Sequence, residues 1–84
     1  MLPSRGRIRY VPPKRYNPKD PLPQGERGYL DRFGNEWTRG PSRTAGESFE
    51  WDVQLSTSGR QQLGWLSRDG QHINVNRRGE ITHR

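Results

Sequence analysis

The sequence predicts a mainly β protein: a small, strongly twisted, five-stranded antiparallel sheet with at most one short helix, preceded by an extended N-terminal arm. Three observations carry this. Between Ser48 and Leu55, Phe49, Trp51, Val53 and Leu55 alternate with Glu50, Asp52 and Gln54. Strict alternation marks a half-buried strand, with one set of side chains inward and the other outward. Turn signals at Gly34-Asn35, Asp69-Gly70 and Arg78-Gly79 divide the chain into hairpins. Six of the seven prolines fall between Pro3 and Pro23. Proline removes backbone donors and biases its neighbours to extended forms.

The elements follow in order. Residues 1–27 read as a basic, proline-rich tether with little regular structure and almost none of the apolar core. Residues 28–84 read as the folded domain. Tyr29–Phe33 and Glu36–Arg39 flank the first turn. Ser48–Leu55 is the clearest strand, and Ser56–Gln62 forms one helical turn with a Ser or Thr cap. Leu63–Ser67 and His72–Asn76 flank the second turn. Ile73 and Val75 then point one way, and His72, Asn74 and Asn76 the other. A last strand lies around Ile81. Five short strands can also close into a small barrel.

Composition narrows the class. The chain has 84 residues, enough for one domain. A domain this small buries only about 60% of the surface its unfolded chain exposes. Only 26% of the residues are hydrophobic, three of them Trp, so a few large aromatics must carry the core. The absence of cysteine rules out disulfides and thiolate metal sites. No apolar run approaches the roughly 20 residues needed to cross a bilayer, so no membrane insertion is expected. The first residues are polar and basic, without a signal-peptide core. An exported form would carry its address elsewhere in a longer chain.

Charge is uneven. Residues 1–27 hold seven Lys or Arg against two acids, and residues 28–84 hold eight Arg against seven acids. A basic arm suits a polyanion such as RNA, and equally suits a solvated linker.

RNA can be cut without metal when its 2′-hydroxyl attacks the adjacent phosphate. That reaction needs a base, an acid and cations for the developing charge. Glu50 and Asp52 are the candidate bases, two apart on one strand face and roughly 7 Å from each other. His72 is the candidate acid, because an unperturbed imidazole titrates nearest neutrality. Arg39, Arg43 and Arg68 are the phosphate candidates. Arg43 sits in the turn-rich Arg39–Thr44 segment and joins the catalytic set, while Arg32, Gln54 and Asn74 complete the RNA-binding set. The folded part holds no lysine, and an arginine-only set favours bidentate phosphate contacts. The polar face is therefore expected to be rich in arginine. No cofactor is implied: there is no phosphate-binding glycine loop, no metal-ligand spacing and no nucleophile elbow.

Several words of this sequence resemble known toxins. Glu36-Trp37-Thr38, Arg43, Phe49 to Gln54, Gly64-Trp65 and Asp69-Gly70-Gln71-His72 resemble the cytotoxic ribonuclease domain of ribosome-inactivating colicins. A fuller likeness is to the polymorphic toxin type 17 family. It runs through Gly28 to Trp37, Gly40 to Thr44, Phe49 to Leu55, Gly64-Trp65, and Arg68-Asp69-Gly70 on to Val75.

The resemblance implies a toxic payload on a larger secreted or contact-delivered protein, acting in the cytoplasm of a target bacterium. It implies an endoribonuclease cutting ribosomal RNA or tRNA, and a cognate immunity protein; an arginine-rich face that attracts phosphate is expected to be covered by an acidic one. The departure lies in the catalytic trio. In the ribosome-cutting colicins a histidine and a glutamate follow the aspartate by three and seven residues. Here Leu55 and Gly59 stand at those places, and only Asp52 carries over. Either Glu50 and Asp52 with His72 rebuild the acid–base pair, or arginines act electrostatically, as in certain tRNA-cutting colicins. A non-catalytic RNA-binding β-barrel is the competing reading.

Overall fold

The computed structural model describes residues 2–42 and 44–83. Five antiparallel strands form one sheet in chain order: β1 (Tyr29–Leu30), β2 (Glu36–Pro41), β3 (Phe49–Gln54), β4 (His72–Val75) and β5 (Ile81–His83). The mainly β class and the five strands are as predicted; of the six segments the sequence offers as strands, Leu63–Ser67 is the one that does not join the sheet. The sheet is open rather than a barrel, with β1 and β5 at opposite edges. With two and three residues, these edge strands offer too few ladder bonds to close a ring.

Register sorts the side chains onto two faces. Trp37 lies opposite Val53, Trp51 opposite Val75, and Val53 opposite Ile73. This face is buried. Its aromatic rings meet edge to face, with centroids 5.8 Å apart for Tyr10–Trp37, 6.3 Å for Trp37–Trp51 and 5.6 Å for Phe49–Trp51. Such pairs add about 0.5–1.5 kcal/mol each beyond the area they bury.

Helix α1 (Thr57–Leu63) starts where the sequence places it. Ser56 caps it, its hydroxyl accepting from the Gly59 amide at 3.0 Å. Leu63–Ser67, expected as a strand, instead ends α1 and winds through a 3-10 turn at Gly64–Leu66. Leu66 is thereby buried against the sheet.

The expected Tyr29–Phe33 strand stops at Leu30 because Asp31 leaves the ladder. Its carboxylate accepts from the Phe33 and Asn35 amides (both 2.9 Å), Asn35 Nδ2 (3.1 Å) and Trp37 Nε1 (3.0 Å). Asn35 Oδ1 in turn accepts from the Ser56 amide at 2.9 Å, joining the first hairpin to the start of α1.

The arm departs furthest from expectation. It has little regular structure, a bridge between Gln24 and Tyr29 being its link to the sheet ladder. Yet Ile8 and Tyr10 belong to the core, 4% and 8% exposed. Burial holds the Tyr10 phenol above its ordinary pKa, with Asp31 and Tyr16 adding to the effect. The Tyr10 hydroxyl donates to the Leu30 carbonyl (2.7 Å), the Ile8 amide to Gly79 O (3.0 Å) and the Arg32 amide to Val11 O (2.7 Å).

Gly6 and Gly79 have positive φ of 93° and 79°. A Cβ on Gly6 would collide with the Arg78 carbonyl, and one on Gly79 with the Arg5 carbonyl. The arm is thus a strap seated on the buried face of the sheet and on the β4–β5 turn.

Candidate functional site

The polar face carries the candidate chemistry. Its central row runs from Thr38 through Asp52 to Asn74, and the next from Glu36 through Gln54 to His72. Asp52, Gln54, Asn74 and His72 therefore form a two-by-two block across β3 and β4. Asp52 and His72 are its diagonal, a relationship that spaces residues on one face by about 7–8 Å. Asp52 is half-buried and lines a cleft of about 240 Å³ with Gln54, Thr38, Glu36, Glu26 and Arg27.

Glu50 sits differently from Asp52. It is 1% exposed, and its Oε2 accepts from Asn74 Nδ2 at 2.8 Å. It does not line the cleft; it holds the Asn74 amide beside Asp52.

His72 is fixed from the loop before β4. Its Nδ1 lies 2.8 Å from Asp69 Oδ2, and its side chain is 43% exposed. Asp69 Oδ1 accepts from the Gln71 amide (2.8 Å), Ser67 Oγ (2.8 Å) and the His72 amide (3.2 Å). The Gln71 and Ser67 bonds, then the His72 amide and charge, hold the Asp69 carboxyl well below the usual carboxylate range. Asp69 is thus ionised at any working pH and fixes the imidazole through Nδ1, leaving Nε2 for a substrate.

The predicted arginines do not gather here. Arg39 falls on the Trp37 side, its guanidinium 4.7 Å from the Phe49 ring and 5.5 Å from the Trp51 ring. Arg32 braces the arm, Nε donating to Pro12 O at 3.1 Å. Arg68 is exposed in the loop before β4. Arg43 lies outside the described residues. The arginine-rich polar face expected from sequence is replaced by one holding Glu36, Glu50 and Asp52, because strand parity sends Arg39 to the other side.

The cation in the cleft is Arg27, which sequence reading left in the arm. Glu36 Oε2 accepts from the Arg27 amide (2.7 Å) and the Gly28 amide (3.0 Å), drawing the 25–28 turn over the polar face. Gly28 packs where any side chain would strike the Trp37 carbonyl. The Arg27 guanidinium makes no ion pair among the described residues. Glu36 and Thr38 share parity with Gln54 and Asp52, so alternation in β2 could have found them; Arg27 had no such signal. Among the described residues, no group of three or more His, Cys, Asp or Glu could hold a metal ion.

The novel toxin 17 family matches residues 1–83. The chain belongs to that family. It is therefore a toxin domain of polymorphic toxin systems. The match takes in the strap as well as the sheet. Searches of curated proteins and of solved structures found no match, so the likeness to the colicin ribonucleases rests on shared sequence words alone. No helix among the described residues of this toxin domain is long and apolar enough to cross a membrane.

Proposed function

We propose that this toxin domain is a metal-independent endoribonuclease whose acid–base pair is Asp52 and His72. The observation that carries the reading is their diagonal placement on one open polar face, with Arg27 in the cleft beside Asp52. The Asp52 carboxylate takes the proton of a ribose 2′-hydroxyl as its oxygen attacks phosphorus. The bond from phosphorus to the 5′-oxygen breaks, and His72 Nε2–H delivers a proton to that oxygen. The products are a 2′,3′-cyclic phosphate and a free 5′-hydroxyl. Arg27 faces the charge that gathers on the phosphorane, and the Asn74 and Gln54 amides orient the phosphate. The diagonal leaves room for one phosphate between acid and base.

RNA, ribosomal or transfer, is the substrate on this reading. Family membership supports delivery as part of a larger protein, action in the cytoplasm of the target cell, and a cognate immunity protein. An acidic immunity protein fits the arginines of the strap better than the carboxylates of the polar face.

The test is cleavage of total bacterial RNA in excess EDTA, with end mapping. Cyclic-phosphate and 5′-hydroxyl ends support the reading. Activity that needs magnesium sinks it, and RNA binding without cleavage leaves a non-catalytic binding module.

A further inference from the structure

The Asp52 cleft does not end at Arg27. It adjoins a wider depression of about 560 Å³ that shares Glu26, Arg27 and Thr38 with it. The depression opens where β1 stops, since β1 pairs with β2 only at Glu36 and Trp37. The outer edge of β2 beyond Trp37 carries no strand there. Gln24, Tyr29, Thr38 and Arg39 contribute to its walls. Its volume lies within the ~300–1,000 Å³ typical of small-molecule sites.

Its chemistry is specific. Tyr29 is half-buried, its ring packed edge-on against Trp51 at 6.3 Å, and its hydroxyl has no hydrogen-bond partner among the described residues. Arg27 and Arg39 stand on the same walls, and neither guanidinium meets a carboxylate among the described residues. Arg39 is pre-oriented by the Phe49 ring beneath it. The exposed Gln24 amide adds a donor and an acceptor. An aromatic surface, two guanidiniums and an amide together suit a base with its phosphate better than either part alone.

We propose that this depression is a subsite for one nucleotide of single-stranded RNA, next along the strand from the phosphate held at Asp52. Tyr29 faces the base, Arg39 binds the outer phosphate, and Arg27 stands between the two phosphates. This rests on reading the Asp52 cleft as the cleavage site, and it adds that the substrate enters as an unpaired strand. A duplex cannot supply the subsite, because its bases are stacked and paired.

The test separates binding from cutting. A short 2′-deoxy oligonucleotide lacks the attacking hydroxyl and serves as the probe, with affinity read by titration calorimetry. Arg39→Ala and Tyr29→Leu are compared with wild type and with Arg60→Ala, an exposed residue of α1 that lines neither the depression nor the Asp52 cleft. Circular dichroism checks each fold. At least about fivefold weaker binding in Arg39→Ala and Tyr29→Leu, the lower bound for one stacked base, supports the subsite. Arg39→Ala should also flatten the salt dependence by about one phosphate contact. Equal affinity in wild type, Arg39→Ala and Tyr29→Leu overturns it. A folded wild type that binds the probe through Tyr29 and Arg39 but never cuts RNA removes the cleavage reading and leaves the subsite standing.

Discussion

Asp69 holds His72 by the ring, with Oδ2 2.8 Å from Nδ1, while its other oxygen gathers the amides of the turn that delivers His72 to the sheet. One carboxylate thus caps a loop and orients a candidate catalytic group. The two jobs separate by substitution. Asp69→Asn keeps the amide-accepting oxygen and loses the charge, so it should lower kcat more than it raises KM. Steady-state kinetics on a defined RNA reads this; a change confined to KM would show that Asp69 serves only the turn.

The same group makes a pH prediction. The folded-state pKa of Asp69 is depressed below its unfolded value of about 3.9. Its contribution to stability is therefore fully present above that value and is lost as pH falls through the folded pKa. Wild type should melt above Asp69→Asn near pH 5, and the margin should shrink in strong acid. Thermal unfolding near pH 5 and near pH 2 checks it; a margin that grows on acidification would reverse the sign.

Asp52→Ala and His72→Ala should each slow cleavage by about 10²–10⁴-fold, the range of general acid–base catalysis, with binding of a 2′-deoxy oligonucleotide nearly unchanged. Single-turnover rates and calorimetry give the two numbers. A His72→Ala protein cutting at the wild-type rate would move the acid elsewhere.

Arg27 and Glu36 should behave as one unit, because Glu36 binds the backbone that carries Arg27. Arg27→Ala and Glu36→Ala should both reduce cleavage, and the double variant should be little worse than Arg27→Ala alone. Full additivity in a double-mutant cycle would show that Glu36 does not act through the turn.

The strap should be indispensable to folding. Ile8→Ala removes a buried side chain and should cost about 2–5 kcal/mol, a large share of the ~5–15 kcal/mol that holds a domain together. Deleting residues 1–20 should unfold the chain, the reverse of what a free tether would do. Urea denaturation decides it, and a truncated protein with an unchanged midpoint would return the strap to the status of a linker.

The sheet was legible because its signals are local. Alternation from Phe49 to Leu55 fixed β3 and its faces, Ser56 marked the start of α1, and Gly34, Gly70 and Gly79 marked turns that do carry positive φ. Asp52, Gln54, Asn74 and His72 came together because two adjacent strands, read separately, shared parity. The strap was missed although Ile8 and Tyr10 alternate with Arg7 and Arg9. Two apolar residues among many charges make a weak pattern, and their burial depends on a turn far along the chain. Arg39 was misplaced for a simpler reason: its charge suggested the polar face, while its parity with Trp37 put it on the other. Glu50 looked like Asp52 in sequence, and only burial separates them.

The contact of Gly6 with Gly79 ties the start of the strap to the β4–β5 turn, and this sets an order of events. A polypeptide that has emerged only as far as β4 has no β4–β5 turn on which to seat the strap. Ile8 and Tyr10 must then wait in solvent until the last hairpin closes. So non-local a closure makes folding slow and nearly all-or-none. A nascent chain that stops short of β5 therefore leaves the strap unseated and the core of this domain incomplete.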